Sequence, residues 1–189
     1  MSAELTFDYT DNTRTRQLVD RITDCVESMS LGFDGYGDAQ IKGPGLYAAV
    51  VAGRSVAGYA DPMGANRWPV DVCGNVLAGI DDCHAATSKV ARSRDGGVVV
   101  GVDGTVLEQM VRFRNVDGDS LPPEVSLADI AYADWMGARH MSAYEQSLRP
   151  EVVATVTLSE ETGRVTVFEA GEYETVPRSS LGEPWRATE

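Results

Sequence analysis

The stretch GGVVVGVDGTVLEQMVRF, Gly96 to Phe113, reads as a β-hairpin. Its two apolar runs flank Asp103-Gly104, a pair that accepts the positive backbone angles of a tight turn, so the runs are predicted to pair antiparallel. Beyond them, residues 115–128 are polar and carry Pro122-Pro123, the mark of a connection. Ser126 offers a cap for a helical segment through Trp135, Gly137 interrupts the pattern, and a new helix is expected from about Ala138 to Leu148. VVATVTL (Val152 to Leu158) and RVTVFEA (Arg164 to Ala170) then form a second strand pair around the turn SEETG.

Upstream, the spacing of Leu18, Ile22, Cys25, Val26 and Met29 predicts an amphipathic helix over Thr13 to Met29. Gly32 to Gly45, with five glycines, is an irregular connection; it lacks the Gly-Lys-Ser/Thr of a phosphate loop, and its glycine spacing differs from the dinucleotide fingerprint. Leu46 to Ala52 and Ser55 to Ala60 read as a hairpin turning at Ala52-Gly53-Arg54, and Asp61 to Pro69 as turns around Trp68. Asn75 to about Arg92 reads as a second helix with Val76, Leu77, Ile80, Cys83, Ala86 and Val90 on one face. The alternation of helices and hairpins predicts an α/β (α+β) single domain with a central mixed, largely antiparallel sheet flanked by helices. Its parts are an N-terminal helical segment (1–31), the main domain (32–176) and a loosely held tail (177–189).

A chain of 189 residues, 43% hydrophobic and 24% charged, suits one globular domain. Lys plus Arg number 16 against 29 Asp plus Glu, a net charge of −13. Such a surface repels phosphate backbones and anionic lipid, so general nucleic-acid binding and membrane binding are not expected, while a local cationic pocket stays open. Lys42 and Lys89 are the only lysines, and this arginine skew with acidic excess fits a salty cytosol, where a Debye length of about 3 Å at 1 M salt screens self-repulsion. Cys25, Cys73 and Cys83 have no tight spacing and form neither a disulfide framework nor a zinc knuckle, which suits a reducing compartment. With no signal-like amino terminus and no long apolar run, the expectation is a soluble, cytoplasmic protein.

Three clusters at element boundaries can carry chemistry. Gly137-Ala138-Arg139-His140 opens a helix, where backbone donors and the positive dipole end, joined by two cationic side chains, suit phosphate. The plainer alternative makes Arg139 a solvated residue and packs His140 on Tyr144. Asp95-Gly96-Gly97 places a carboxylate beside two residues without side chains at a strand entrance; taken alone, it reads first as an ordinary turn before a strand. Ser159-Glu160-Glu161-Thr162-Gly163 is a hairpin turn whose glutamates offer hard oxygen ligands to a divalent ion. His84, beside Cys83 on a helix, points away from it, so a shared metal is not expected.

In this order the three clusters resemble the diadenylate cyclase family, the nucleotide-binding domain found in DNA integrity scanning protein, and the composition suggests a haloarchaeal type. DGGVVVGVDGTV is similar to the family's DGA motif and hairpin, GARHMSA to its GTRHRAA motif, and SEETGRVTVFEAG to its closing hairpin. The resemblance implies synthesis of cyclic di-AMP from two ATP with release of two pyrophosphates, with Mg²⁺ or Mn²⁺, between facing sites of a homo-oligomer. It implies that Asp95 orients or deprotonates the attacking hydroxyl and holds metal, that Gly96 and Gly97 leave room for the nucleotide, and that Gly137, Ala138, Arg139 and His140 grip phosphates. Ser159 and Glu160 would also contact the nucleotide and Glu161 the metal, the choice between Glu160 and Glu161 for the metal staying open. The chain departs from the pattern at Gly97, where the family has Ala, at Ala138, where it has Thr, and at Met141, where it has a second Arg. These departures keep a second expectation open: a weakened or inactive sensor that binds ATP or cyclic di-AMP. A third is an interaction module without a pocket.

Overall fold

Every residue of LYAAVV (Leu46–Val51) is buried. An apolar run with no polar alternation belongs to a strand covered on both faces, and this strand, β1, lies near the middle of the sheet. The computed structural model describes residues 12–32, 43–64, 68–92 and 96–181. Among these the strands are β1, β2 (Ala60–Pro62), β3 (Gly97–Gly101), β4 (Val106–Phe113), β5 (Val152–Leu158), β6 (Val165–Glu169) and β7 (Glu172–Val176). They form one seven-stranded sheet in the order β2-β4-β3-β1-β5-β6-β7, with β1 and β3 parallel and every other neighbour antiparallel. The chain is thus a mixed α/β domain whose sheet is largely antiparallel.

Helices cover both faces. On one side α1 (Thr13–Leu31) and α2 (Ile80–Ala91) bury Leu18, Ile22, Val26, Cys83 and Ala86 against Ala48, Val50, Val98 and Val156. On the other, α3 (Ala138–Ser147) brings Ala143 onto Tyr47, Ala49, Val99, Phe113 and Phe168. Full burial of each such valine or leucine contributes about 1.5–3 kcal/mol before the entropy of ordering is subtracted. The hairpin at Asp103-Gly104 forms as expected, with Gly104 at φ +87° and its N–H donating to Gly101 O at 2.7 Å.

Three expectations change. Leu46–Ala52 and Ser55–Ala60 are not hairpin partners: β1 pairs with β3 and β5, while Ala60–Pro62 reaches across to β4 at the sheet edge. The helix from Ser126 to Trp135 is a single 3-10 turn, Leu127–Asp129, with Ser126 Oγ accepting from Ala128 N at 3.3 Å. Leu127 and Tyr132 are exposed, so no apolar face drives further winding. The second helix begins at Ile80, because the Asn75 side chain is engaged instead by the hairpin turn, donating to Asp103 O at 2.8 Å. β7, in a stretch to which the sequence assigned no element, extends the sheet beyond β6.

Of the segment 177–189, Leu181 is buried in the core and Arg178 Nε donates to Ser30 O at 3.1 Å; residues 182–189 lie outside the described residues. The three cysteines are free and buried, Cys25 Sγ lying 3.5 Å from Cys83 Sγ. No helix among the described residues is long and apolar enough to cross a membrane.

Candidate functional site

Strand register brings two of the three clusters together. Leu46 pairs with Leu158, so Ser159 follows directly beyond the start of β1. Ala48 pairs with Val98, so Gly97 flanks the same end of β1 from the other side. Gly97 and Ser159 therefore stand two strand spacings apart, about 10 Å. The start of α3 lies over that edge. Gly96, Gly97, Gly137, Ala138, Arg139 and His140 line one cleft of about 840 Å³. Ser159, Glu160 and Glu161 line it too. Asp95 lies outside the described residues; Gly96 is the next residue in the chain.

The amino terminus of α3 opens into this space. Gly137 caps it without a side-chain hydrogen bond, and a Cβ there would meet nothing within 4 Å. Arg139 crosses towards the β5–β6 turn: its Nη2 is 3.5 Å from Glu160 Oε2 and its Nη1 donates to Leu158 O at 3.4 Å. Glu160 is thus paired within the protein.

His140 departs from the expectation of a cationic side chain. It is only 6% exposed, and it packs edge-on against Trp135, ring centroids 5.1 Å apart, rather than on Tyr144. Burial, and then the charges of Arg139 and Arg164, push its imidazole down to about 4, so at neutral pH it is an uncharged hydrogen-bonding group and not a cation. Its Nε2 is buried without a partner. A buried nitrogen left this way is costly unless a ligand engages it.

The strand entrance is shaped by Phe113. A Cβ on Gly97 would sit 2.4 Å from Phe113 Cε2, and that ring packs on Tyr47 at 4.7 Å between centroids. Gly97 is therefore the counterpart of an aromatic residue on β4. Opposite it, Met110 is the extra residue of a bulge, since Gly97 pairs with Val111 and Val98 with Gln109; Met110 sits at φ 61°. The SEETG turn is tied down from inside. Gly163 N donates to Ser159 O at 2.9 Å, Ser159 N to Arg164 O at 2.9 Å and Thr162 N to Ser159 Oγ at 3.3 Å. From α1 the Ser30 hydroxyl donates to Gly163 O.

Sequence reading missed Trp135, Arg164, Ser142 and Arg112, which also line the cleft. Ser142 lay within a quoted motif, one helical turn from Ala138 on the same face, and was legible by i, i+4 spacing. Arg164 immediately follows SEETG, but nothing local marks it as facing the cleft. Met141 instead packs against the core cluster around Ala143 and Phe168.

Among the described residues no group of three His, Cys, Asp or Glu side chains converges as a metal cage. A divalent ion held by one or two carboxylates together with substrate phosphates needs no such cage, and Glu161 on the cleft wall fits that mode.

Fold and cleft define a mixed α/β domain with one open cleft lined by Arg112, Arg139 and Arg164 and by the amino terminus of α3. No protein-family model matches the chain, and no curated protein matches it. Among solved structures it is similar to a hypothetical membrane spanning protein from Bacillus cereus, with 15% identity and a TM-score of 0.53, over 84% of this chain and 62% of that one. The chain thus spans less than two thirds of that protein, and the likeness is one of fold. It is also similar to a double mutant of DacA from Staphylococcus aureus, with 15% identity and a TM-score of 0.47, over 91% and 95% of the two chains.

Proposed function

We propose that the protein is a metal-dependent diadenylate cyclase, condensing two ATP into cyclic di-AMP with release of two pyrophosphates. One observation carries this reading: three segments distant in sequence, each resembling a motif of that family, line a single cleft whose floor is an uncapped helix amino terminus.

The chemistry asks for positioning and charge neutralisation more than for covalent catalysis. The 3′-oxygen of one ribose bonds to the α-phosphorus of the other nucleotide, the bond to pyrophosphate breaks, and the hydroxyl proton leaves to a base. In this reading Asp95 orients the hydroxyl and accepts the proton, and Gly96 and Gly97 admit the ribose. The α3 amino terminus and Arg139 hold phosphate oxygens, and His140 offers Nε2 as a neutral group. Ser159 donates its hydroxyl. Glu161 would hold Mg²⁺ or Mn²⁺, which supplies charge neutralisation for the leaving group. The family resemblance implies one nucleotide per protomer, so ring closure needs two clefts facing each other across a homodimer or larger homo-oligomer. The net charge of −13 does not oppose this, because the helix end and arginines act at short range.

A second reading, a sensor that binds ATP or cyclic di-AMP without turnover, draws on a specific observation. Met141, where the family has Arg, packs into the core and not into the cleft. Incubation with ATP and Mn²⁺ in high salt, followed by chromatography for cyclic di-AMP, separates the two. Product from the parent and none from Asp95→Asn supports the cyclase; ATP binding without product from either supports the sensor; no adenine-nucleotide binding leaves only an interaction module.

A further inference from the structure

Arg164 differs from the other cations of the cleft. It precedes β6 and is half-buried, with its guanidinium 4.8 Å above the Trp135 ring. One donor, Nη1, reaches Thr175 Oγ1 at 3.3 Å. Among the described residues no carboxylate lies within ion-pair distance of it. Arg139 is already paired with Glu160, and Arg112 is exposed at the rim. A guanidinium presents five N–H donors, and most of those on Arg164 meet no protein acceptor. In a chain with this acidic excess, a partly desolvated cation without a counter-charge is unfavourable unless a ligand brings the anion.

The surroundings fix its position. Trp135 is itself held edge-on by His140 and Tyr173, with centroids 5.1 and 5.6 Å away, so the ring under Arg164 is a supported platform. On the same cleft wall stands His140, whose Nε2 is buried without a partner. Arg164, His140 and the open end of α3 therefore line one volume.

We infer that Arg164 is a phosphate-binding residue, supplying from the start of β6 the second cation that Met141 does not supply from α3. The inference rests on the nucleotide reading for the identity of the ligand, whereas its own chemistry requires only a phosphate-bearing anion. Arg139 is shared with Glu160, whereas no carboxylate among the described residues pairs with Arg164.

Calorimetric titration of the full chain with α,β-methylene ATP, adenosine and inorganic pyrophosphate, each with Mg²⁺ at fixed salt, tests this. Arg164→Gln is expected to weaken the ATP analogue and pyrophosphate by about tenfold or more and to leave adenosine within about twofold. Arg54→Gln removes the same charge from a side chain that is 90% exposed, and is expected to change nothing. Arg164→Gln binding both phosphate-bearing probes as tightly as the parent overturns the inference and leaves the nucleotide reading standing. A parent that binds pyrophosphate through Arg164, but neither ATP analogue nor adenosine, keeps the inference and removes the nucleotide reading; a parent that binds none of the three removes both. Circular dichroism melts report folding. Should Arg164→Gln not fold, Arg164→Lys decides, because it keeps the charge but loses the fork. Weaker phosphate binding with unchanged adenosine supports the inference, and no change in either overturns it.

Discussion

Acidification probes the site through His140. Its imidazole titrates near 6.5 in the unfolded chain and is pushed down to about 4 in the fold by burial and by Arg139 and Arg164. The unfolded state therefore binds more protons between those values, and stability falls as pH falls. The contribution is fully present above about pH 6.5 and lost as pH drops through about 4, amounting to about 3 kcal/mol over the whole window. Between about pH 8 and about pH 5 the same linkage amounts to about 2 kcal/mol. Urea unfolding at both pH values, at constant salt, for the parent and for His140→Phe, reads this directly. The quantity compared is the loss between the two pH values within each protein, so the packing change made by Phe cancels. Carboxylates titrate alike in both proteins and cancel too. The parent is expected to lose about 2 kcal/mol more than the variant. Equal losses would refute a neutral, buried imidazole at the cleft.

Gly97→Ala is expected to destabilise the fold by about 1–3 kcal/mol, because its Cβ meets the Phe113 ring, and Phe113→Leu is expected to recover most of that loss in a thermal-melt double-mutant cycle. Ser30→Ala leaves the buried Gly163 carbonyl without its donor, so denaturant unfolding is expected to show a loss of about 1–3 kcal/mol; ATP affinity is expected to fall as the turn carrying Ser159 loosens. Glu160→Gln removes a partly exposed ion pair and should alter stability by less than about 1 kcal/mol, while calorimetry is expected to show tighter ATP binding once Arg139 is released. For the salt adaptation proposed from composition, dilution from about 2 M to about 0.1 M salt is expected to lower the melting temperature, and indifference to salt would discard that proposal.

The chemistry of short segments was legible in the chain itself. The Asp103-Gly104 hairpin, the SEETG turn, the helix over Thr13–Leu31 and the helix opened by Gly137 follow from turn angles and apolar spacing, which are local properties. The polar and charged clusters at element boundaries could be read for the same reason. Pairing of β1 with β3 and β5 could not, because a continuous apolar run such as LYAAVV is compatible with several partners, and the nearest turn was taken for a hairpin. That register sets Gly97 and Ser159 on either side of one strand end and so creates the cleft. Arg164 became visible as a cleft cation, and His140 as a neutral buried group, only through packing: their character depends on Trp135, Arg139 and depth from water, none of which is encoded in adjacent residues.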